Sequence, residues 1–307
     1  EISRIKNIRL EKIRSGLETK TFLGLFRVLL LNKKFGYLFK KYVEDERPDL
    51  IITQGNAALS SADVAIKHEI PAFVFIRSLE HICLSCFFDI SGPERHNCLK
   101  YAKPRLKIQY PFFKILSRWY ERVLKDVDLV ISNSKFIQSV VREWFGIDSE
   151  IVYSPIKLEN YKTKRKNPEY ITFVKPTPWK GVDIFLKIVD MLPNKKFLAV
   201  GKSNKSAELK RRKNVTYIPW VNDMRSVYAR TKIVLLPSLV PEAFSRVPLE
   251  AMISGIPCIV TNRGGSPEEV GDAGIVIDDP YDIDAWVNAI NLLENDKRVY
   301  RLSLIHI

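Results

Sequence analysis

Short runs of consecutive apolar residues recur along this chain, and between them the apolar positions fall at helical spacing. The runs lie at 50–53, 72–76, 129–132 and 151–153 in the first half, then at 171–174, 197–200, 215–218, 233–236, 256–260 and 275–277. They are rich in β-branched residues and do not alternate with polar ones, so they read as strands buried on both faces of parallel sheets. Helical patterns occupy 22–43, 57–67, 112–125, 135–144, 182–191, 224–229 and 282–293. Strand and helix in alternation predict doubly wound α/β domains. A polar, basic stretch at 159–169 (ENYKTKRKNPE) breaks the alternation and reads as a link between two Rossmann-like lobes. The expected division is an N-terminal lobe over 1–157 and a C-terminal lobe over 158–301, with 302–307 either a tail foreign to the native protein or a short apolar C-terminal strand. Ligands of such sheets bind outside the C-terminal strand ends, so a site is expected in the cleft between the lobes.

Composition narrows the class. A chain of 307 residues has room for two cores, and 46% hydrophobic with 27% charged residues is ordinary for a globular protein. No uninterrupted apolar stretch reaches the roughly 18 residues of a transmembrane helix. Four cysteines are too few for a disulfide scaffold, which fits a reducing, cytoplasmic setting. The net charge of +14 asks for an anionic partner: nucleotide phosphates, a lipid surface or nucleic acid. No nucleic-acid-binding motif is present, and much of the charge gathers at 100–125, where eight Lys or Arg face one acid, Glu121. Nucleic acid is therefore not an expected partner. Lys114, Arg118 and Arg122 share one face of a helix there, and Phe112, Leu116, Trp119 and Val123 another. That pattern fits a solvated face over a core face, or a basic amphipathic helix lying on the inner face of an anionic membrane.

Two segments of the second half carry chemistry. In 237–252 (PSLVPEAFSRVPLEAM), Pro248 suits the first turn of a helix and Gly255 its C-terminal cap. Backbone N–H groups near Ser245, Arg246 and Val247 would then offer an anion site at the helix start. Glu242 and Glu250 bracket this turn, and carboxylates accept paired hydrogen bonds from adjacent sugar hydroxyls. The plain alternative is that Glu242 caps the helix and Glu250 is solvated. In 173–183 (FVKPTPWKGVD), Lys175 and Lys180 put two cations at a strand end. Two cations there can stabilise a departing diphosphate without a metal; otherwise they are solvated loop charges.

These strings resemble the Glu–seven residues–Glu signature of family 4 glycosyltransferases. The likeness includes Pro237-Ser238, Phe244, Arg246-Val247-Pro248 and Glu250-Ala251-Met252. It continues through Ser254-Gly255-Ile256-Pro257 into Asn262-Arg263-Gly264-Gly265-Ser266-Pro267-Glu268-Glu269-Val270, and covers roughly residues 50–295. The resemblance implies the GT-B fold, two Rossmann-like domains with parallel sheets facing across a cleft. It implies a hexosyltransferase that moves a sugar from a UDP- or GDP-sugar to an acceptor hydroxyl, with retained configuration, in glycan, lipopolysaccharide or glycolipid synthesis. The nucleotide sugar is then a co-substrate, the acceptor a glycan or lipid-linked molecule, and no further cofactor is required. Glu242 would meet the donor sugar, Glu250 the ribose and Lys180 the diphosphate. Phe244 to Val247 would line the donor loop, and Gly201 the nucleotide loop. Trp220 would border the base or lie in the core. Three positions depart from the family: Ser245 stands where Gly is common, Lys175 where Arg is usual, and Arg77-Ser78 where His-Asp is frequent. Arg77 is the first candidate to replace that His, and His81 the second.

A lobe of this type would open with a strand and a glycine-rich loop, and the last would end with a helix crossing back. The chain instead opens with a basic helical segment at 5–17, and nothing of that kind follows Leu293, so it is expected to be truncated at both ends. Cys83, Cys86, His96 and Cys98 could form a zinc clamp, or be unpaired or packed cysteines. Cys258 reads as core, and Asp126-Val127-Asp128 as a helix end and turn rather than a metal motif. Two rival functions are a nucleotide-sugar epimerase on the same fold, and a non-catalytic basic protein that binds membranes or nucleic acid.

Overall fold

The computed structural model describes residues 24–79 and 110–296. The helical segment 5–17, the candidates His81, Cys83, Cys86, His96 and Cys98, and the tail 302–307 lie outside the described residues.

The first lobe runs α1 (Gly24–Glu46), β1 (Ile51–Gln54), α2 (Ala58–Lys67), β2 (Ala72–Ile76), α3 (Tyr110–Asp126), β3 (Leu129–Ser132), α4 (Lys135–Phe145) and β4 (Glu150–Ile151). Its strands are parallel in the order β1-β2-β3-β4. Local chemistry sets the boundaries. Ser134 caps α4 by accepting from Ile137 N–H, and Gly146 closes it in the left-handed region. Asp128 accepts a hydrogen bond from Ala72 N–H at 2.8 Å, which pins the turn after α3 beside the start of β2.

The second lobe runs β5 (Tyr170–Val174), α5 (Val182–Met191), β6 (Lys196–Val200), α6 (Ser206–Arg211), β7 (Val215–Ile218), α7 (Arg225–Tyr228), β8 (Thr231–Leu236), α8 (Arg246–Met252), β9 (Cys258–Thr261), α9 (Ser266–Val270), β10 (Gly274–Ile277) and α10 (Ile283–Asn295). Its six parallel strands are ordered β10-β9-β8-β5-β6-β7. The order reverses between β5 and β8, paired from Tyr170 to Phe173. In such sheets the reversal opens a crevice at the C-terminal strand ends.

Expectation and structure differ over burial. The second lobe's central strands are buried on both faces, with Phe173, Phe185, Phe197 and Trp286 fully enclosed. Phe185 lies 4.9 Å from Phe173 and 5.7 Å from Phe197, between ring centroids. The first lobe's strands are not buried on both faces. Ile51, Ala72, Val74, Ile76 and Val130 are buried on one side, while Ile52 on the other is 66% exposed. By register, Ile52, Phe73 and Leu129 lie side by side on that open face. No described element covers it, so an apolar run did not mean two covered faces here.

The stretch between the lobes is docked rather than free. Lys166 N–H donates to Ala229 O, Thr163 N–H to Ser254 Oγ, and Ser254 Oγ to Tyr161 O. All three contacts fasten it to the second lobe.

Candidate active site

Two loops leave the sheet at its reversal point. The loop after β5 holds Lys175 and Lys180, and the loop after β8 holds Ser238, Glu242 and Phe244. The first can lie against the second because Gly181 has no side chain. Its φ is +83°, and an added Cβ would sit 1.9 Å from Pro237 O. Leu239 N–H completes the join by donating to Trp179 O at 3.0 Å.

A glycine pair holds the other flank of the second loop. Gly264 pairs with Glu242 as a parallel bridge, and Gly265 N–H donates to Glu242 O at 2.7 Å. A Cβ on Gly264 would lie 2.3 Å from that same oxygen. The Glu242 backbone is thus held by the glycine pair, while Pro237 and Leu239 of the same loop lie against the first loop.

Between the two loops the Lys180 ammonium donates to Glu242 Oε1, and Ser238 Oγ donates to the same oxygen at 2.7 Å. Both charged side chains are about 15% exposed (16% for lysine, 15% for glutamate), so the pair is largely out of water yet open on one side. Lys180 is thus not a solvated loop charge, and the Glu242 carboxylate accepts from Lys180 and Ser238 rather than capping α8.

Glu250 is also buried. Tyr228 donates its hydroxyl to Glu250 Oε2 at 2.9 Å, and Arg246 reaches Oε1 at 3.2 Å. Burial, and then the charge of Glu250, push the Tyr228 hydroxyl above its ordinary pKa and keep it a donor. A solvated position for Glu250 is excluded. Arg246 also reaches the Tyr161 hydroxyl.

The other expected residues divide. Phe244 lies 5.3 Å from the Tyr153 ring, and Val247 packs beside the cluster around Tyr228 and Met252. Ser245 starts α8, but its N–H is already taken by Glu269 Oε1, so it is not a free anion donor. Lys175 adopts φ +58°, with Gly201 close against its backbone, and its exposed ammonium joins neither carboxylate. Trp220 is 71% exposed, which removes its core alternative. Arg77 donates to Gln54 at 3.1 Å and lies over Phe75, both in the first lobe. Lys180 and Glu242 therefore meet, Glu250 stands on the adjoining helix, and Lys175 and Arg77 do not join them.

Sequence reasoning missed Tyr228 and Glu269. Glu269 is only 5% exposed, and burial with Glu242 nearby pushes its carboxyl up to about 9. Buried Cys258 is core as expected, its thiol raised by burial. No group of metal-ligating side chains occurs among the described residues.

Comparison with known proteins fits this picture. The family model described as "Glycosyltransferase Family 4" matches residues 11–160, and that described as "Glycosyl transferases group 1" matches 157–304. A curated relative is the UDP-Gal:alpha-D-GlcNAc-diphosphoundecaprenol alpha-1,3-galactosyltransferase of Escherichia coli. It is 30% identical over 118 residues, 35% of this chain and 30% of that protein. The chain matches less than a third of the length of the first curated relatives. Among solved structures, sucrose-phosphate synthase from Thermosynechococcus elongatus superposes with a TM-score of 0.69 at 18% identity, covering 94% of this chain and 74% of that one. HepE from Anabaena, solved in complex with UDP, gives 0.66 at 20% identity, covering 87% and 75%. The two parallel-sheet lobes are those of the GT-B fold. With one family model on each lobe and the acidic, basic and glycine positions of the loops at the sheet's reversal point in place, the chain belongs to the family 4 glycosyltransferases.

Proposed function

We propose that this chain moves a hexosyl group from a UDP- or GDP-sugar to an acceptor hydroxyl, with retained anomeric configuration. One observation carries the reading: Lys180 and Glu242, from separate loops, form a shielded ion pair at the sheet's reversal point. A diphosphate arriving there competes for the Lys180 ammonium and frees the Glu242 carboxylate to accept from sugar hydroxyls. Glu250, fixed by Tyr228 and Arg246, is set to accept from the ribose. In the transfer, the bond from the anomeric carbon to the phosphate oxygen breaks and one to the acceptor oxygen forms. The acceptor proton passes to the leaving phosphate. The relatives' names support the donor class, one acting on UDP-Gal and another having been solved with UDP.

We place the acceptor side at an anionic membrane. No described helix is long and apolar enough to cross one. Between α1, α2 and α3 lies a groove of about 890 Å³ flanked by Lys33, Lys40, Arg118 and Arg122, with Tyr37 and Ile115 exposed on its rims. Its acid, Asp63, is already paired with Lys67 and Arg122. Lys33 and Arg118 face no acid among the described residues. Cations beside exposed apolar side chains suit lipid headgroups above acyl chains.

A thermal-shift panel of UDP-, GDP- and ADP-sugars on the full-length gene product tests the donor site. One nucleotide class should raise the melting temperature, and Lys180→Ala and Glu250→Ala should each abolish that response. No response to any nucleotide sugar overturns the reading. Turnover by epimerisation alone, without transfer, replaces it with the epimerase alternative.

A further inference from the structure

The short helix α9 carries two adjacent glutamates whose side chains go to different lobes. Glu268 leaves its own lobe. Its carboxylate accepts from Lys135 N–H at 2.9 and 3.0 Å and from Phe136 N–H at 3.4 Å, at the start of α4. Tyr153 donates its hydroxyl to the same group at 2.6 Å, a bond that raises the tyrosine's pKa to about 12. The third free amide of α4's first turn, Ile137 N–H, goes to the helix's own Ser134. The first turn is thus closed by a carboxylate from the opposite lobe, the sign of charge a helix start favours. Tyr153 in turn packs on Phe244 of the donor-side loop, and Ala243 packs on the first lobe's core.

Glu269 turns inward. One oxygen accepts from Ser245 N–H, and the other is buried with no partner among the described residues. A carboxyl in this environment holds its proton at neutral pH and still accepts from the amide. Ser245 is three residues beyond Glu242, so one turn of chain joins an interlobe contact to the loop that presents the Glu242 carboxylate.

We propose that Glu268 is a positioning residue that sets the donor-side loop according to how the lobes meet. The path is short: the α4 amides hold Glu268, the α9 backbone passes that hold to Glu269, and Glu269 holds Ser245. Closing the lobes seats the loop, and separating them loosens it. The consequence for donor binding rests on the function proposed above. The mechanical coupling does not.

Amide hydrogen exchange followed by mass spectrometry tests the coupling without any ligand, on wild type, Glu268→Ala, Glu268→Gln and Tyr153→Phe. In Glu268→Ala, exchange should rise by about tenfold or more at 135–137 and also at 242–247, in line with the loss of charge-assisted hydrogen bonds. The strands β5 and β6 should keep their protection. Glu268→Gln retains an accepting oxygen without the charge and should fall between, and Tyr153→Phe should show a smaller change at both segments. Faster exchange at 135–137 with 242–247 unchanged would reduce Glu268 to a local cap and overturn the proposal. Should the alanine variant fail to fold, the glutamine variant decides by the same criterion. A calorimetric titration with UDP and GDP forms the second arm. Weaker binding in Glu268→Ala extends the coupling to the donor. If no protein binds either nucleotide while the exchange pattern holds, the transferase reading fails and the coupling stands.

Discussion

The two sheets of this molecule solve the same packing problem differently. The six-stranded sheet is covered on both faces, and its loops converge at one reversal of strand order. The four-stranded sheet keeps one face open among the described residues, and its strand order does not reverse. A strand fixed from both sides holds its terminal loop in place, and the contacts at the candidate site depend on that placement. Lys180 and Glu242 meet because β5 and β8 are adjacent, parallel and buried, so their terminal loops leave the sheet side by side. The first lobe instead offers a basic groove on its helices and polar strand ends at Gln54 and Arg77. Those surfaces suit a partner that docks rather than one that is enclosed.

Substitutions can break or sharpen that contrast. The largest effect is expected in the two-sided core. Phe173→Ala should cost about 3–5 kcal/mol, whereas Ile52→Ala on the open face should stay within about 0.5 kcal/mol, both read from denaturant unfolding. Equal costs would mean that the open face is covered after all. Next comes Gly181→Ala, whose new Cβ has no room beside Pro237 O. A forced positive-φ alanine costs about 1–3 kcal/mol before the clash is counted, and the nucleotide response should vanish with it. A fold-intact variant that still responds would show that the loops need not touch.

A smaller effect, with a sign of its own, belongs to Glu269. Its folded pKa lies near 9 against an ordinary 4.5, raised by burial and by Glu242 and Glu268, and opposed by Ser245 N–H and Lys180. Between those values the folded chain keeps a proton that the unfolded chain releases, so stability falls as pH climbs through the window. Glu269→Gln cannot ionise and still accepts from Ser245. Its advantage over wild type should be absent below about pH 4.5 and grow toward pH 9, at roughly 2–4 °C in melting temperature for each kcal/mol gained. A pH-independent difference would mean that the carboxyl is not held neutral. The smallest change in stability is expected for Lys33→Glu with Arg118→Glu, within about 0.5 kcal/mol. Flotation with phosphatidylglycerol-containing vesicles should nonetheless be lost in that variant, and undiminished binding removes the groove from the membrane reading.

The periodicity of the chain located the ten strands found among the described residues because each is a compact apolar run with polar punctuation. Two helices escaped it. Ser206–Arg211 buries only Leu209, and Ser266–Val270 looks like a turn opened by Ser-Pro, so neither shows a helical apolar stripe. Burial was misjudged in the first lobe, since an apolar run says what a strand can bury and not what covers it. At the site, Lys180, Glu242 and Glu250 were legible through their resemblance to a known family. Tyr228 was not, because its partner Glu250 lies 22 residues away and the contact exists only once β8 returns beside it. Glu269 was hidden in a turn string, where nothing local distinguishes the glutamate that points out from the one that points in.

The docked connector determines where the lobes can pivot. Val152 is bonded to Ser132 in one lobe, and the chain from Tyr161 onward is fastened to the other. Between these anchors Tyr153 bonds Glu268 of the second lobe, so the free span of the connector is short. Pro155 fixes one of its few rotations and restricts the residue before it. Any change of angle between the lobes through this connector therefore falls on the few residues around Pro155.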